Sequence, residues 1–175
     1  MKGILALQTA GPGPETTRNT GAYMELREKI IESTQEIFST MVMMEVSVSP
    51  EPIAESSIHN ESITGLIGLA GIHKGVLAIH MPNKVALAVT GSFLGMEVEE
   101  INADVEDAIG ELANMLGGNV KTILSENGRD INLSLPTTIS GQEYNFQQTG
   151  ISAEKTIISF DAESGSFQVE LQLEK

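Results

Sequence analysis

The feature that most constrains the fold of this chain is a long segment between residues 104 and 128 with the periodicity of an α-helix. Its apolar side chains recur at steps of four and three, which is the spacing of one helical face. They are Val105, Ile109, Leu112, Leu116, Val120 and Ile123. We predict a helix that buries this face against a core, with Asp104 as its N-cap and Asn127-Gly128 as its stop.

The same segment carries a second, polar stripe. Its members also recur at steps of four and three, and they are Asp107, Glu111, Asn114 and Gly118. With about 100° of turn per residue, the centre of this stripe lies roughly 170–190° away from the apolar one. We therefore predict that these side chains point away from the core. Since folding does not require them there, any role they have is toward a molecule that arrives from outside.

Glu111 and Asn114 are one helical turn apart and neighbour each other on this stripe. A carboxylate can hold a cation or a partner's lysine, and a neutral amide both donates and accepts hydrogen bonds, so it can fix the orientation of a water molecule. The pair could dock on a partner and aim its attacking water, which is a positioning role rather than covalent catalysis. An ordinary solvated helix face would show the same spacing, so spacing alone leaves both interpretations open.

Periodicity and turn residues elsewhere predict an α+β fold in which helices cover a mostly antiparallel sheet. Two further helices are predicted at residues 24–41 and 82–94, and the predicted strands are 43–48, 62–71, 75–81, 131–135, 155–161 and 166–173. Short glycine-containing turns predict two hairpins, one before the long helix and one at the end of the chain. We expect residues 1–21 to form a flexible tail and residues 22–175 to form a single domain.

Composition argues against several classes of partner. The chain has 24 acidic and 10 basic residues, for a net charge of −14, and no cluster of Lys and Arg. Such a chain is a poor match for nucleic acid or for an anionic membrane surface. The apolar run at residues 4–7 is shorter than the ~7–15 residues of a secretory signal, and no stretch approaches the ~20 apolar residues of a membrane helix. Cysteine is absent, so we expect a cytoplasmic protein without disulfides.

Other catalytic signatures are missing from the sequence. The three histidines are His59, His73 and His80, and they lack the helical spacing of a metal site. We predict that His80 lies within a strand and His73 at a turn, with structural or solvent-exposed roles. There is no Walker loop and no Gly-x-Ser-x-Gly elbow. We therefore expect no metal site and no nucleophilic triad.

The polar stripe and its surroundings resemble the CheC/CheX/FliY family of chemotaxis phosphatases, and within that family the CheX branch. The motif Asp107-x-x-x-Glu111-x-x-Asn114 is followed by Leu133-Ser-Leu-Pro-Thr-Thr-Ile-Ser-Gly141, which contains Pro136. The 21 residues between Asn114 and Pro136 are about one fewer than in the family pattern. The similarity extends from about residue 24 to residue 173.

This resemblance implies a role for each motif residue. Glu111 would dock against a lysine at the active site of a phosphorylated CheY-like receiver domain. Asn114 would insert beside the aspartyl phosphate and orient the hydrolytic water. Asp107 would support the motif, and Pro136 would be structural.

The resemblance also implies cofactors and partners. The Mg²⁺ of the reaction would be supplied by the receiver, so that this chain binds no cofactor of its own. Family members of the CheX type are homodimers joined through their sheets, and the family fold is α+β.

Two alternatives stay open at this point. The chain could be a non-catalytic module of the same fold that binds a receiver or a flagellar-switch partner, or that only dimerises. It could instead be a self-contained metal-dependent hydrolase, for which the sequence offers no clustered ligands.

Overall fold

Three α-helices and seven strands make up the regular structure of residues 14–50, 58–147 and 153–174, which are the residues described by the computed structural model. The helices are α1 (Pro14–Ile37), α2 (Asn83–Leu94) and α3 (Ala103–Leu124), with a π-helical turn at Phe38–Val42 and a 3₁₀ turn at Glu126–Gly128. The strands are β1 (Ser47–Val48), β2 (Ile58–Gly71), β3 (Gly75–Pro82), β4 (Ile131–Leu133), β5 (Thr137–Asn145), β6 (Ala153–Ala162) and β7 (Gly165–Glu174). This arrangement confirms the predicted α+β class.

The seven strands form one antiparallel sheet in the order β1-β6-β7-β3-β2-β4, and β5 pairs with β2 beside β4. Leu69 pairs with Gly75 at the end of β2–β3, and Ala162 pairs with Gly165 at the end of β6–β7. Both predicted hairpins are therefore confirmed. β4 and β5 pair with successive parts of the same edge of β2, which is longer than either of them. The short segment that joins β4 to β5 lies beside α3.

The predicted long helix is α3, and its apolar face is in the core. Five of the six predicted side chains are at most 1% exposed, namely Val105, Ile109, Leu112, Leu116 and Val120, and the sixth is partly buried. They pack on the same sheet face as α1 and α2, whose buried side chains join one hydrophobic cluster with them. Within the described residues, no helix has the length and apolar character that a bilayer crossing requires.

The ends of α3 differ from the prediction. The N-cap is Asn102 rather than Asp104, since the Asn102 side chain accepts a hydrogen bond from the Val105 N–H at 3.2 Å. Asp104 lies instead in the first turn, where a carboxylate is favoured by the helix dipole. The helix ends at Leu124, before the predicted stop, and a 3₁₀ turn follows it. Asn102 and Asp104 stand two positions apart, and the prediction of Asp104 was wrong because periodicity does not distinguish two neighbouring Asx residues as caps.

The first helix begins ten residues earlier than predicted, at Pro14 instead of residue 24. A proline is well placed in the first turn of a helix, and the segment after it contains few apolar side chains, so periodicity gave no signal there. Part of the predicted tail, residues 14–21, is thus helical, while residues 1–13 lie outside the described residues. The domain boundary at residue 22 stays a prediction.

The end of the first helix was also predicted wrongly. The chain widens into the π-helical turn, and Met43 then takes a left-handed conformation with φ of 60°. The extra residue of this turn shifts the helical phase, and the apolar Met41 is 48% exposed as a result. The strand predicted at 43–48 is reduced to Ser47–Val48.

The close approach of α3 to β2 explains why glycine occupies two positions where the helix and the strand meet. A Cβ at Gly65 of β2 would lie 2.7 Å from the Ile109 carbonyl oxygen, and a Cβ at Gly117 of α3 would lie 2.8 Å from the Ile67 Cγ2. Real Cβ atoms do not approach other atoms this closely, so these positions let the helix lie directly on the strand. Gly118, on the polar stripe, has nothing within 4 Å of the position that a Cβ would take.

The opposite face of the sheet carries a buried polar network. The His80 ring nitrogens lie 2.8 Å from the Thr64 Oγ1 and 2.9 Å from the Glu170 carboxylate, which also forms an ion pair with Lys155 at 3.2 Å. Burial opposes ionisation of Glu170, but the hydrogen bonds from His80 and Gln172 outweigh it and keep the pKa of this carboxyl below its ordinary value.

His59 stacks on His80 with ring centroids 4.1 Å apart, and its buried Nε2 has no hydrogen-bond partner among the residues that the structure describes. Burial, with a smaller contribution from the neighbouring His80 and against an opposing effect of Glu170, lowers the pKa of His59 from 6.5 to about 4. The folded protein therefore keeps this ring neutral at a pH where the unfolded chain would protonate it.

We predict opposite effects of alanine at two of the glycines. Gly65→Ala should reduce the free energy of unfolding by about 1–3 kcal/mol, because the added methyl group meets the backbone of α3. Gly118→Ala should increase it by about 0.5–1 kcal/mol, because alanine is the better helix former and space is available. Urea unfolding of both variants measures the difference, and equal effects would contradict the close packing of α3 on β2.

We predict that stability falls as the pH is lowered from the ordinary His pKa of 6.5 toward about 4, the folded pKa of His59. In that window the unfolded chain binds a proton that the folded chain excludes. His59→Phe keeps an aromatic ring in the stack but cannot titrate, so its loss of stability between about pH 7.5 and about pH 5 should be smaller. Urea midpoints at the two pH values test this, with His73→Gln at the exposed β2–β3 turn as the control that should behave like the parent.

Candidate functional site

The polar stripe of α3 lies on the outer surface, opposite the buried apolar face. Asp107 and Glu111 are exposed, and Asn114 and Gly118 are partly exposed. This follows from the periodicity, because a helix that buries one face against the sheet must turn the opposite one outward. The predicted accessibility of Glu111 and Asn114 is therefore confirmed.

The polar side-chain atoms of Glu111 and Asn114 have no bonding partner within the part of the chain that the structure describes. Their side chains form no ion pair and no hydrogen bond there. The carboxylate can only accept hydrogen bonds, whereas the amide both donates and accepts. The two groups are therefore free to bind a molecule that docks against this face of α3.

Pro136, the fourth predicted site residue, lies beside the motif on α3 because the sheet places the segment between β4 and β5 there. Its Cβ lies 3.8 Å from the position that a Cβ would take at Gly110, and the Thr138 Cγ2 lies 3.6 Å from it. Gly110 stands three residues after Asp107 and four before Asn114, so it belongs to the same side of the helix. The structure thus places the motif residues of α3 beside the chain segment that joins β4 to β5.

This joining segment contains a β-bulge. The pairs that flank it are Leu133 with Leu69 and Thr137 with Leu66. Residues 134–136 therefore face only two residues of β2, and one extra residue on one strand is what defines a bulge. The predicted strand 131–135 consequently ends at Leu133, because the bulge interrupts the ladder.

Ser134 ties the bulge to β2. Its N–H donates to the Gly68 carbonyl oxygen at 2.9 Å, and its Oγ accepts from the Gly68 N–H at 2.8 Å. The same hydroxyl donates to the Leu135 carbonyl oxygen at 2.8 Å. Pro136 has no N–H to contribute to a ladder, so an edge bulge is a position where proline is tolerated. These bonds fix the backbone on both sides of Leu135.

The surroundings of the site are acidic. Exposed carboxylates line the first half of α3 and the loop before it, and they are Glu97, Glu99, Glu100, Asp104, Glu106, Asp107 and Glu111. The basic residue of α3 is Lys121, in its last turn. A field of this sign favours a partner that presents a positive charge to the helix and disfavours an anionic one.

A self-contained hydrolytic centre has no support in the described residues. No group of three or more His, Asp or Glu side chains is arranged there to hold a metal ion. His80 lies within β3 and His73 at the β2–β3 turn, as predicted, and His80 is bound to Glu170 on the sheet face opposite α3. The motif offers the carboxylates of Asp107 and Glu111 and the amide of Asn114, a set that suits recognition and positioning.

Known proteins provide an independent comparison. The family model for the chemotaxis phosphatase CheX matches residues 63–161, which is more than half of the 175-residue chain. The protein named CheY-P phosphatase CheX from Thermotoga maritima is 28% identical over 115 residues, covering 65% of this chain and 74% of that protein.

Solved structures share the fold. The chemotaxis protein CheX from Vibrio vulnificus superposes with a TM-score of 0.73 at 27% identity, covering 86% of this chain and 97% of that one. The CheX–CheY–BeF3–Mg²⁺ complex from Borrelia burgdorferi matches with a TM-score of 0.68 at 20% identity, covering 85% and 97% respectively. The resemblance found in the sequence is confirmed, and the chain belongs to the chemotaxis phosphatase CheX family.

Proposed function

We propose that this protein hydrolyses the aspartyl phosphate of a CheY-like response regulator. The observation that carries the proposal is the accessible pair Glu111 and Asn114, whose side chains have no partner among the described residues and lie one turn apart on a helix whose other face is buried. Family membership supports it, as does the name of the Thermotoga relative, CheY-P phosphatase. The Borrelia relative forms a complex with CheY, which supports a receiver domain as the partner.

In the proposed reaction Asn114 positions water. Its amide reaches beside the acyl phosphate and exchanges hydrogen bonds with a water molecule, which attacks phosphorus in line with the acyl oxygen. The bond between phosphorus and that oxygen breaks, the aspartate of the receiver leaves as a carboxylate, and the water proton leaves with phosphate. One hydrogen-bonding group used in this way can contribute ~10²–10³-fold in rate.

Glu111 serves docking in this proposal. Its carboxylate accepts hydrogen bonds from a lysine at the receiver's active site, which fixes the helix at the distance where Asn114 reaches the phosphate. Asp107 supports the pair from the preceding turn, and Pro136 shapes the bulge behind it. Mg²⁺ neutralises phosphate charge from the receiver's side, so that no metal ligand is needed from this chain.

We further propose, from the resemblance alone, a cytoplasmic homodimer joined through its sheets. β5 pairs with β2 on one side only within the described residues, so its other edge could accept a strand. The dimer is not required for the chemistry assigned to Glu111 and Asn114.

The direct test combines the full chain with phosphorylated receiver domains from the same genome and follows phosphate release. At least one receiver should lose phosphate faster than it does alone. If every receiver bound but none was accelerated, the chain would be the non-catalytic receiver-binding module of the alternative hypothesis.

We predict that Asn114→Ala lowers the stimulated rate of phosphate release by about 100-fold or more, because the water loses its positioning group. The melting temperature should stay near that of the parent, since the side chain is partly exposed and has no partner in the described structure. Asn119→Ala, further along α3, is the matched control and should keep the parental rate. A fully active Asn114→Ala variant would eliminate the water-positioning role.

We predict that Glu111→Lys weakens binding rather than chemistry, because it places two positive charges face to face at the docking site. The dissociation constant for a receiver loaded with beryllium fluoride and Mg²⁺ should rise at least about tenfold. Glu126→Lys makes the same charge change beyond the end of α3 and should leave binding nearly unaltered. Equal affinities for the two variants would argue against docking through Glu111.

A further inference from the structure

Gly118 is a glycine in the interior of α3 for which the fold provides no reason. A Cβ at this position would meet nothing within 4 Å among the described residues, whereas one at Gly117 would lie 2.8 Å from the Ile67 Cγ2. The backbone at Gly118 is helical, and its carbonyl oxygen accepts a hydrogen bond from the Thr122 Oγ1 at 3.1 Å, as that of any residue could. Since alanine stabilises a helix better than glycine does, the fold alone would favour a side chain here.

The position of Gly118 on α3 relates it to the motif. Glu111, Asn114 and Gly118 follow one another at steps of three and four, so they lie within roughly 60° of one side of the helix. Along the axis, Glu111 is about 4.5 Å from Asn114 in one direction and Gly118 is about 6 Å from it in the other. Asn114 therefore stands between a carboxylate and a stretch of helix that has no side chain.

The length of the asparagine side chain gives this bare stretch a use. The amide group of Asn114 follows directly on its Cβ, so it cannot extend far from the helix. For this amide to enter a pocket of another protein, the backbone of α3 must come close to that protein's surface. A side chain one turn away on the same side would meet the surface first and hold the helix back. Glycine removes this obstacle, as it does where a backbone closely approaches a ligand.

We propose that Gly118 is a positioning residue, whose bare backbone lets the rim of the receiver's phosphorylated pocket lie directly against α3. The proposal rests on the proposed function for the identity of the partner. Glu111 holds the receiver on one side of Asn114, and the missing side chain on the other side sets how closely the helix approaches. The short amide of Asn114 then reaches the aspartyl phosphate.

The charges favour a receiver over a second copy of this chain against Gly118. Each copy has a net charge of −14, and the exposed carboxylates of Asp104, Glu106, Asp107 and Glu111 lie along the same helix. Like charges disfavour the pairing of two such faces, whereas a surface that bears a lysine is attracted. A second copy is a separate outcome of the test, because it would change the oligomeric state.

The test compares Gly118→Ala and Gly118→Leu in the full chain. The kcat for phosphate release should fall in the order parent, alanine, leucine, and by about 100-fold for leucine, because a displacement of about 1 Å can have that effect. For a receiver loaded with beryllium fluoride and Mg²⁺, the dissociation constant of Gly118→Leu should rise at least about tenfold. The melting temperature of Gly118→Ala should equal or exceed that of the parent, which a merely structural role of the glycine would not produce together with lost activity.

Gly21 provides the matched control. It is an exposed glycine within α1, and a Cβ there would also meet nothing within 4 Å in the described part of the chain. Gly21→Ala and Gly21→Leu thus make the same changes on a helix that does not carry the motif. Both should keep the parental rate and the parental affinity for the loaded receiver.

The outcomes separate the two proposals. Parental rates and affinities in both Gly118 variants would overturn the close approach and leave the phosphatase activity standing. Weakened binding by Gly118→Leu, with a parent that does not accelerate phosphate release, would support the close approach and overturn the phosphatase activity. A parent that binds none of the loaded receivers would overturn both. A changed oligomeric state of Gly118→Leu at unchanged receiver affinity, or a lower melting temperature of Gly118→Ala, would overturn the role of Gly118.

Discussion

The close packing of α3 on β2 is the contact on which the rest of this structure depends. Gly65 and Gly117 remove side chains where the helix and the strand meet, and apolar residues such as Ile109 fill the space around them. This contact fixes the rotation of the helix about its axis. A different rotation would carry Glu111 into the core, where a carboxylate without a partner is costly. The outward position of the motif is thus a consequence of how tightly the opposite face packs.

The sheet edge completes the same surface. The bulge between β4 and β5 turns the backbone beside α3, and Ser134 holds it there with hydrogen bonds to Gly68. This backbone irregularity places Pro136 next to the helix, beside Gly110. A surface of this kind has recognition groups, and the described residues contain no cluster of side chains arranged to hold a metal ion. Its proposed chemistry therefore needs the phosphate, the metal ion and the lysine of another protein.

Much of this could be predicted from the sequence because periodicity reports packing directly. The stripe from Val105 to Val120 predicted both the buried face of α3 and the accessible one, and glycine-containing turns predicted the two hairpins. Features that depend on local hydrogen bonding could not be predicted from periodicity. The choice of Asn102 over Asp104 as the N-cap is one, and the π-helical turn that exposes Met41 is another. The bulge at residues 134–136 was missed because it depends on strand register, which only the paired strands define.

The most direct measurement is a crystal structure of the full chain with its receiver, loaded with beryllium fluoride and Mg²⁺. The account predicts that the Asn114 amide lies within hydrogen-bonding distance of a water beside the beryllium fluoride, with Glu111 at the receiver's lysine. A receiver bound on another surface, with the outer face of α3 open to solvent, would contradict it.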